Sequence, residues 1–211
     1  GNIKAAYFVH KDKPMYAFNF VTDSTKNLND YYDENAKTLR RQFLKAPLKF
    51  SRISSRYNLR RRIKLYGNRV RAHKGTDFAA SVGTPIMSTA NGTVIESRYR
   101  GGNGNYVKIR HNSVYTTQYL HMKKRAVRKG DYVKQGDVIG YVGMTGNTSG
   151  PHVCYRFWKN GKQVDPFRQK LPEADPIRED LKSDYYLHIA SIKEQLDAIP
   201  SQYLETAIAK N

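Results

Sequence analysis

At 211 residues the chain is long enough for one sizeable core with smaller appendages, and its 39% hydrophobic share contains no run of about 18 apolar residues that would span a bilayer as a helix. Its 37 lysines and arginines against 18 acids give a net charge of +19, which points to an anionic partner: nucleic acid, anionic lipid or an acidic cell-wall polymer. The single cysteine, Cys154, excludes an intrachain disulfide.

The first residues, Gly1-Asn2-Ile3-Lys4, are neither a methionine start nor a signal sequence, so the chain reads as a fragment with any targeting segment or anchor upstream. Residues 1–46 carry alternating stretches, Ala6 to Val9 and Tyr16 to Val21, which read as short strands. Tyr31 to Ala36 offers an Asp/Asn-rich hairpin turn, and Leu39 to Leu44 is equally compatible with one helical turn. This segment is expected to be the tail of a preceding β domain or a lead-in.

From residue 47 to 171 glycines recur every few residues, so the fold is expected to be mainly β, an antiparallel and partly barrel-like sheet. The expected strands are Pro85–Met87, Gly92–Arg98, Tyr106–His111, Tyr115–Leu120, Val138–Val142 and Val153–Trp158. Residues 172–211 form a C-terminal helical extension, because Ile177, Leu181, Tyr185, Ile189, Ile192, Leu196 and Ile199 recur at three or four. Asp175-Pro176 is the expected helix start, and Pro200 the break before a second short helix. The stripe is expected to clamp onto the β domain.

Three segments carry side chains suited to chemistry. His73-Lys74-Gly75-Thr76-Asp77 sets an imidazole and a carboxylate on either side of a glycine bend, as two zinc ligands or as a structural His–Asp hydrogen bond. Tyr119-Leu120-His121-Met122 ends a strand. In Gly150-Pro151-His152-Val153-Cys154-Tyr155-Arg156-Phe157, alternation puts His152, Cys154 and Arg156 on one face and Val153, Tyr155 and Phe157 on the other. His10, His111 and His188 lack such company and are expected to be surface or packing histidines.

Taken together, H-x-x-x-D, a later histidine after a tyrosine, and G-P-H-x-C resemble the lysostaphin-type (LytM-domain) zinc endopeptidases, whose last motif is G-P-H-x-H. The segments around Gly83-Thr84-Pro85, Gly104-Asn105-Tyr106 and Val133 to Gly140 extend the likeness over about residues 48 to 171. The resemblance implies Zn2+ as cofactor with His73 and Asp77 as ligands and Cys154 in the position of the third. It implies His121 and His152 as catalytic imidazoles that are not ligands, one acting as general base. Arg156, Tyr119 and Asn105 are the candidate substrate-binding residues.

The implied activity is hydrolysis of peptide crosslinks in bacterial peptidoglycan, in the periplasm or cell envelope, with anchoring through upstream residues. A thiolate in place of an imidazole leaves the zinc charge fully neutralised by Asp77 and Cys154. Zinc-bound water has a pKa of roughly 7 in a cationic three-imidazole site against about 9 for the aqueous ion, so slower hydrolysis at neutral pH, or a more alkaline optimum, is expected here than in a histidine-ligated relative. Arg156 stands where the family usually has an acid, and either offsets that charge, binds a substrate carboxylate, or is a surface cation. The competing reading is a catalytically degenerate wall-binding regulator of another hydrolase. No nucleic-acid motif accompanies the basic charge, and none is expected as partner.

Overall fold

The computed structural model describes residues 3–11, 13–25, 28–63, 69–174 and 176–208, with side chains left out at 63, 69 and 200–208. The chain divides into two compact units, Gly1–Gln42 with Pro172–Asn211, and Phe43–Leu171.

In the first unit, β1 (Ala5–His10), β2 (Lys13–Asp23) and β3 (Leu28–Tyr32) form an antiparallel sheet. Asp33 then turns the chain, its Oδ1 accepting the backbone N–H groups of Asn35 and Lys37. This is the expected Asp/Asn hairpin, whereas residues 39–44 form no helical turn and pair with other segments, the Leu39 N–H donating to the Tyr31 carbonyl and Arg41 bridging to Glu173. The C-terminal helix α1 (Lys182–Ile208) starts later than expected, after a 3-10 turn at Glu179–Leu181. Asp175, the expected cap, lies outside the described residues.

The helix continues through Pro200 as one element. A proline's fixed φ is itself helical, so it removes one hydrogen bond and strains one turn without forcing the chain out of the helix. The stripe expected to clamp the glycine-punctuated domain instead shares a buried cluster with the N-terminal sheet: Ile177, Tyr185 and Ile189 with Tyr16, Phe18, Tyr32 and Ala36. Each partner answers the other's need, since a three-stranded sheet with an apolar face and a lone amphipathic helix are both unstable until covered. Tyr185 Oη adds a 2.7 Å hydrogen bond to the Asp33 carbonyl.

The second unit is a ten-stranded antiparallel sheet. Its path runs from β12 (Tyr132–Val133) through β9 (Gly92–Arg100), β10 (Gly104–Arg110), β11 (Tyr115–Arg125), β14 (His152–Lys159) and β7 (Thr76–Ala79) to β4 (Arg52–Ser55), with β15 (Lys162–Val164) paired to β14. Off this path β13 (Val138–Val142) pairs with β11 and with β8 (Pro85–Met87). Among the described residues the strand order does not close into a barrel. The cation-dense segment that leads into His73 forms its own hairpin, β5 (Asn58–Ile63) with β6 (Arg69–His73); Lys64 and Tyr66 lie outside the described residues.

Alternation along β14 is as expected. Val153, Tyr155 and Phe157 enter the main core with Phe78, Val107 and Tyr119, while Cys154 joins Tyr106 and Leu120 in a separate buried cluster. His111 is a packing histidine, with Nδ1 2.7 Å from the Asn91 carbonyl and Nε2 2.7 Å from Thr117 Oγ1. Burial outweighs the Asn91 bond and lowers its pKa from 6.5 to about 4. Between those values the unfolded chain holds the extra proton and the folded chain does not, so stability falls as pH falls through this window. The loss attributable to His111 is about 3 kcal/mol at pH 4. Denaturant titrations across the window should show this slope in the parent and a flatter one in His111→Gln; equal slopes would refute it.

Candidate metal centre and its cleft

Three neighbouring strands place the site. Cys154 on β14 lies opposite Asp77 on β7 and opposite Leu120 on β11. Directly opposed residues share a face, so the thiol and the carboxylate point the same way. His73, at the end of β6, returns to them across the bend at Gly75. A Cβ at Gly75 would stand 2.8 Å from Cys154 Sγ and 3.1 Å from the Tyr155 carbonyl, so the approach of this bend to β14 requires glycine.

The donor atoms converge. His73 Nε2 lies 3.0 Å from Asp77 Oδ1 and 3.7 Å from Cys154 Sγ, and one donor atom from each of the three falls within 4.8 Å of the others. Tetrahedral N, O and S ligands at 2.0–2.3 Å from zinc are themselves about 3.3–3.6 Å apart, so the spacing suits one ion after small adjustments. The donor set of imidazole, carboxylate and thiol is also one that zinc accepts. His73 Nδ1 lies 3.0 Å from the Arg56 carbonyl and 3.3 Å from Ser55 Oγ. Donation of Nδ1–H to that carbonyl fixes the tautomer that presents Nε2 to a metal.

Charge at the three donors is set by their surroundings. Burial pushes the Asp77 carboxyl up, but hydrogen bonding and charge from His73, with His152 and Cys154, bring it below its ordinary value. Burial pushes the Cys154 thiol well up, reinforced by Asp77 and opposed by Arg156. Thiolate ligation therefore releases a proton when metal enters.

Two further imidazoles flank this cluster. His152 Nδ1 is 2.8 Å from the Gly150 carbonyl and 3.1 Å from Thr148 Oγ1, while its Nε2 is 3.7 Å from Asp77 Oδ1. His121 Nδ1 is 2.8 Å from the Thr145 carbonyl, and its ring centroid is 4.8 Å from that of His152. Burial lowers the His121 pKa, aided by His152 and Arg156 against the Thr145 bond and Asp77.

His121 reaches the cleft through a break in alternation. Tyr119 and Met122 enter the main core and Leu120 sits beside Cys154, so a regular strand would turn His121 toward the core with Tyr119. Its φ of +64° and the shifts in register around Met122 return its side chain to the face of the site. Such bulges re-aim side chains, and a non-glycine residue in this region carries strain that functional sites tend to hold.

All five side chains and Arg156 line one cleft of about 730 Å³. Arg61 and Arg71, from the cation-dense segment that leads into His73, line it as well, as do Asn147 and Thr148. Two expected substrate-binding residues do not reach it. Tyr119 is fully buried, its hydroxyl bonded to Thr89 and Thr117, because its strand position faces the main core. Asn105 faces a separate depression and supports the site indirectly, its backbone N–H donating to Thr145 Oγ1 and its side-chain amide to the Met122 carbonyl.

Residues 71–166 match the model of peptidase family M23. The catalytic domain of the prophage-encoded M23 protein EnpA from Enterococcus faecalis is 31% identical, with a TM-score of 0.52, over 97% of that domain and 59% of this chain. The chain belongs to peptidase family M23. It is also similar to the peptidoglycan DD-endopeptidase ShyC of Vibrio cholerae, at 41% identity over 199 residues. That alignment covers 94% of this chain and 44% of ShyC. A crystal structure of a zinc-containing peptidase from Vibrio cholerae is 37% identical with a TM-score of 0.59, covering 81% of this chain and 51% of the other. The chain spans less than half the length of the curated relatives that it matches first.

Proposed function

We propose that this chain is a zinc-dependent endopeptidase that cuts peptide crosslinks of bacterial peptidoglycan, acting in the periplasm or cell envelope. The observation that carries the reading is the convergence of His73, Asp77 and Cys154 beside His121 and His152 in one cleft, from three segments far apart in sequence. The likeness to a named DD-endopeptidase supports peptidoglycan as substrate and a D,D-crosslink as the bond.

His73, Asp77 and Cys154 would hold the zinc, which supplies a Lewis acid for the scissile carbonyl and makes water a better nucleophile near neutral pH. The remaining work belongs to the two imidazoles. Each gives its Nδ1–H to a backbone carbonyl, Gly150 for His152 and Thr145 for His121, which leaves Nε2 to act in the cleft. One takes the proton of the attacking water and delivers it to the leaving amine; the other, protonated, donates to the oxygen on which negative charge develops.

Cys154 in the third ligand position is the one observation that favours the second reading, a wall-binding regulator without activity. Metal analysis of the purified chain and digestion of isolated sacculi separate the two. The endopeptidase binds about one zinc per chain and releases muropeptides whose masses show opened crosslinks, and a chelator stops the release. A chain that holds no zinc and releases nothing is the regulator.

A further inference from the structure

The cleft holds more positive charge than its metal donors can use. Arg61, Arg71 and Arg156 all line it, and Asp77 is the one carboxylate among its lining residues. Asp77 is already engaged: Oδ1 is 3.0 Å from His73 Nε2, and Oδ2 is 3.8 Å from Arg61 Nη1, beyond hydrogen-bond reach. Arg61 Nη1 instead donates to Ser55 Oγ at 2.9 Å.

Two donors here lack an acceptor. The Nε of Arg61 and the Nε of Arg156 are buried from solvent without a hydrogen-bond partner among the described residues. A buried donor without an acceptor is costly, and a guanidinium pairs best with a planar anion that takes two parallel bonds. The two arginines reach the site from different sides of the donor set. Arg61 comes from the β5–β6 hairpin, while Arg156 shares the β14 face of His152 and Cys154, close enough to bear on the charge of both Cys154 and His121. An anion held on either guanidinium lies beside the metal donors, because Arg61 Nη1 is 3.8 Å from Asp77 Oδ2 and Arg156 stands two residues from Cys154 on one strand.

We propose that Arg61 and Arg156 form a carboxylate subsite that selects peptides bearing a free carboxylate on the residue adjoining the scissile amide. This rests on the endopeptidase reading above and names the part of the substrate that the cleft recognises. It also gives the arginine-rich hairpin a role in recognition, since β5 carries one jaw of the subsite to the edge of the metal centre.

Two synthetic crosslinked stem peptides that differ only at that carboxylate, free in one and amidated in the other, test the subsite when incubated with the zinc-loaded chain. The free acid should be cleaved with kcat/KM roughly 10- to 100-fold higher, chiefly through a lower KM, as a charge-assisted hydrogen-bonded pair requires. Arg156→Gln and Arg61→Gln should each erase most of that preference, lowering kcat/KM on the free acid far more than on the amide. Arg156→Lys and Arg61→Lys, which keep the charge without the planar fork, should recover part of it. Equal cleavage of both peptides by the parent overturns the subsite, as does an equal loss on both peptides in the glutamine variants. If neither peptide is cut, the endopeptidase reading fails, and calorimetric binding of the same two peptides decides the subsite alone. Tighter binding of the acid that is lost in Arg156→Gln upholds it, and equal or absent binding overturns it.

Discussion

Cys154→Ala is expected to lose zinc and hydrolysis together, whereas Cys154→His is expected to keep the metal and work faster at neutral pH. Alanine leaves two protein donors, His73 and Asp77, and the loss in affinity should exceed the roughly 10- to 100-fold that an outer-shell partner is worth. Histidine restores an uncharged third donor. With Asp77 then the sole anionic ligand, one positive charge remains on the bound ion, and the attacking water gives up its proton at lower pH. Below that pKa, each unit of decrease makes up to about tenfold more of the reactive form. The rising limb of the pH–rate profile should therefore move toward acid in Cys154→His. Zinc titration against a chromophoric chelator and rates between about pH 6 and 9 decide the matter. An alanine variant that binds zinc as the parent does removes Cys154 from the ligand set, and an unshifted profile in the histidine variant removes the charge argument.

Much of this site could be read from the sequence because its geometry is local. Alternation in one strand puts His152 and Cys154 on a common face, and one glycine bend brings His73 back to Asp77. The same local logic located Val138–Val142 and the other central strands, whose β-branched and aromatic residues fill the core. It failed where the deciding contacts are remote. The helical stripe of α1 is visible as a period of three or four, but nothing in that period says which surface it covers. Tyr16 and Phe18, more than 160 residues earlier, form that surface. Likewise Arg52–Ser55 and the β5–β6 arginines have the composition of a solvated loop, and become strands through pairing with β7 and with each other.

The misplacement of Tyr119 has a local physical origin. Tyr119 and His121 sit two apart, so regular alternation gives them the same face. The positive φ at His121 breaks that relation and leaves Tyr119 in the core while its neighbour enters the cleft. No side-chain pattern announces a bulge at a histidine. Arg61 is legible in the sequence only as one of a run of cations leading into His73; the fold shows that this one stands beside Asp77.

His152→Ala and His121→Ala should each lower kcat by roughly 10²- to 10⁴-fold while leaving zinc content unchanged. Neither imidazole belongs to the converging donor set, although both stand next to it. His152 Nε2 is 3.7 Å from Asp77 Oδ1, a distance that leaves room for a shared water or substrate oxygen but makes no contact of its own. Their value to the reaction lies in orientation. Each ring is held by a hydrogen bond from Nδ1 to a backbone carbonyl, so removing the ring removes a proton carrier without disturbing the backbone that positions the ligands. The double variant should fall by less than the product of the two single losses, because the proton carrier and the oxyanion donor act in the same step and such units are not additive. Loss of zinc in either single variant would instead place that histidine among the ligands. Full additivity in the double variant would mean that the two imidazoles, with ring centroids 4.8 Å apart, do not act together in one step.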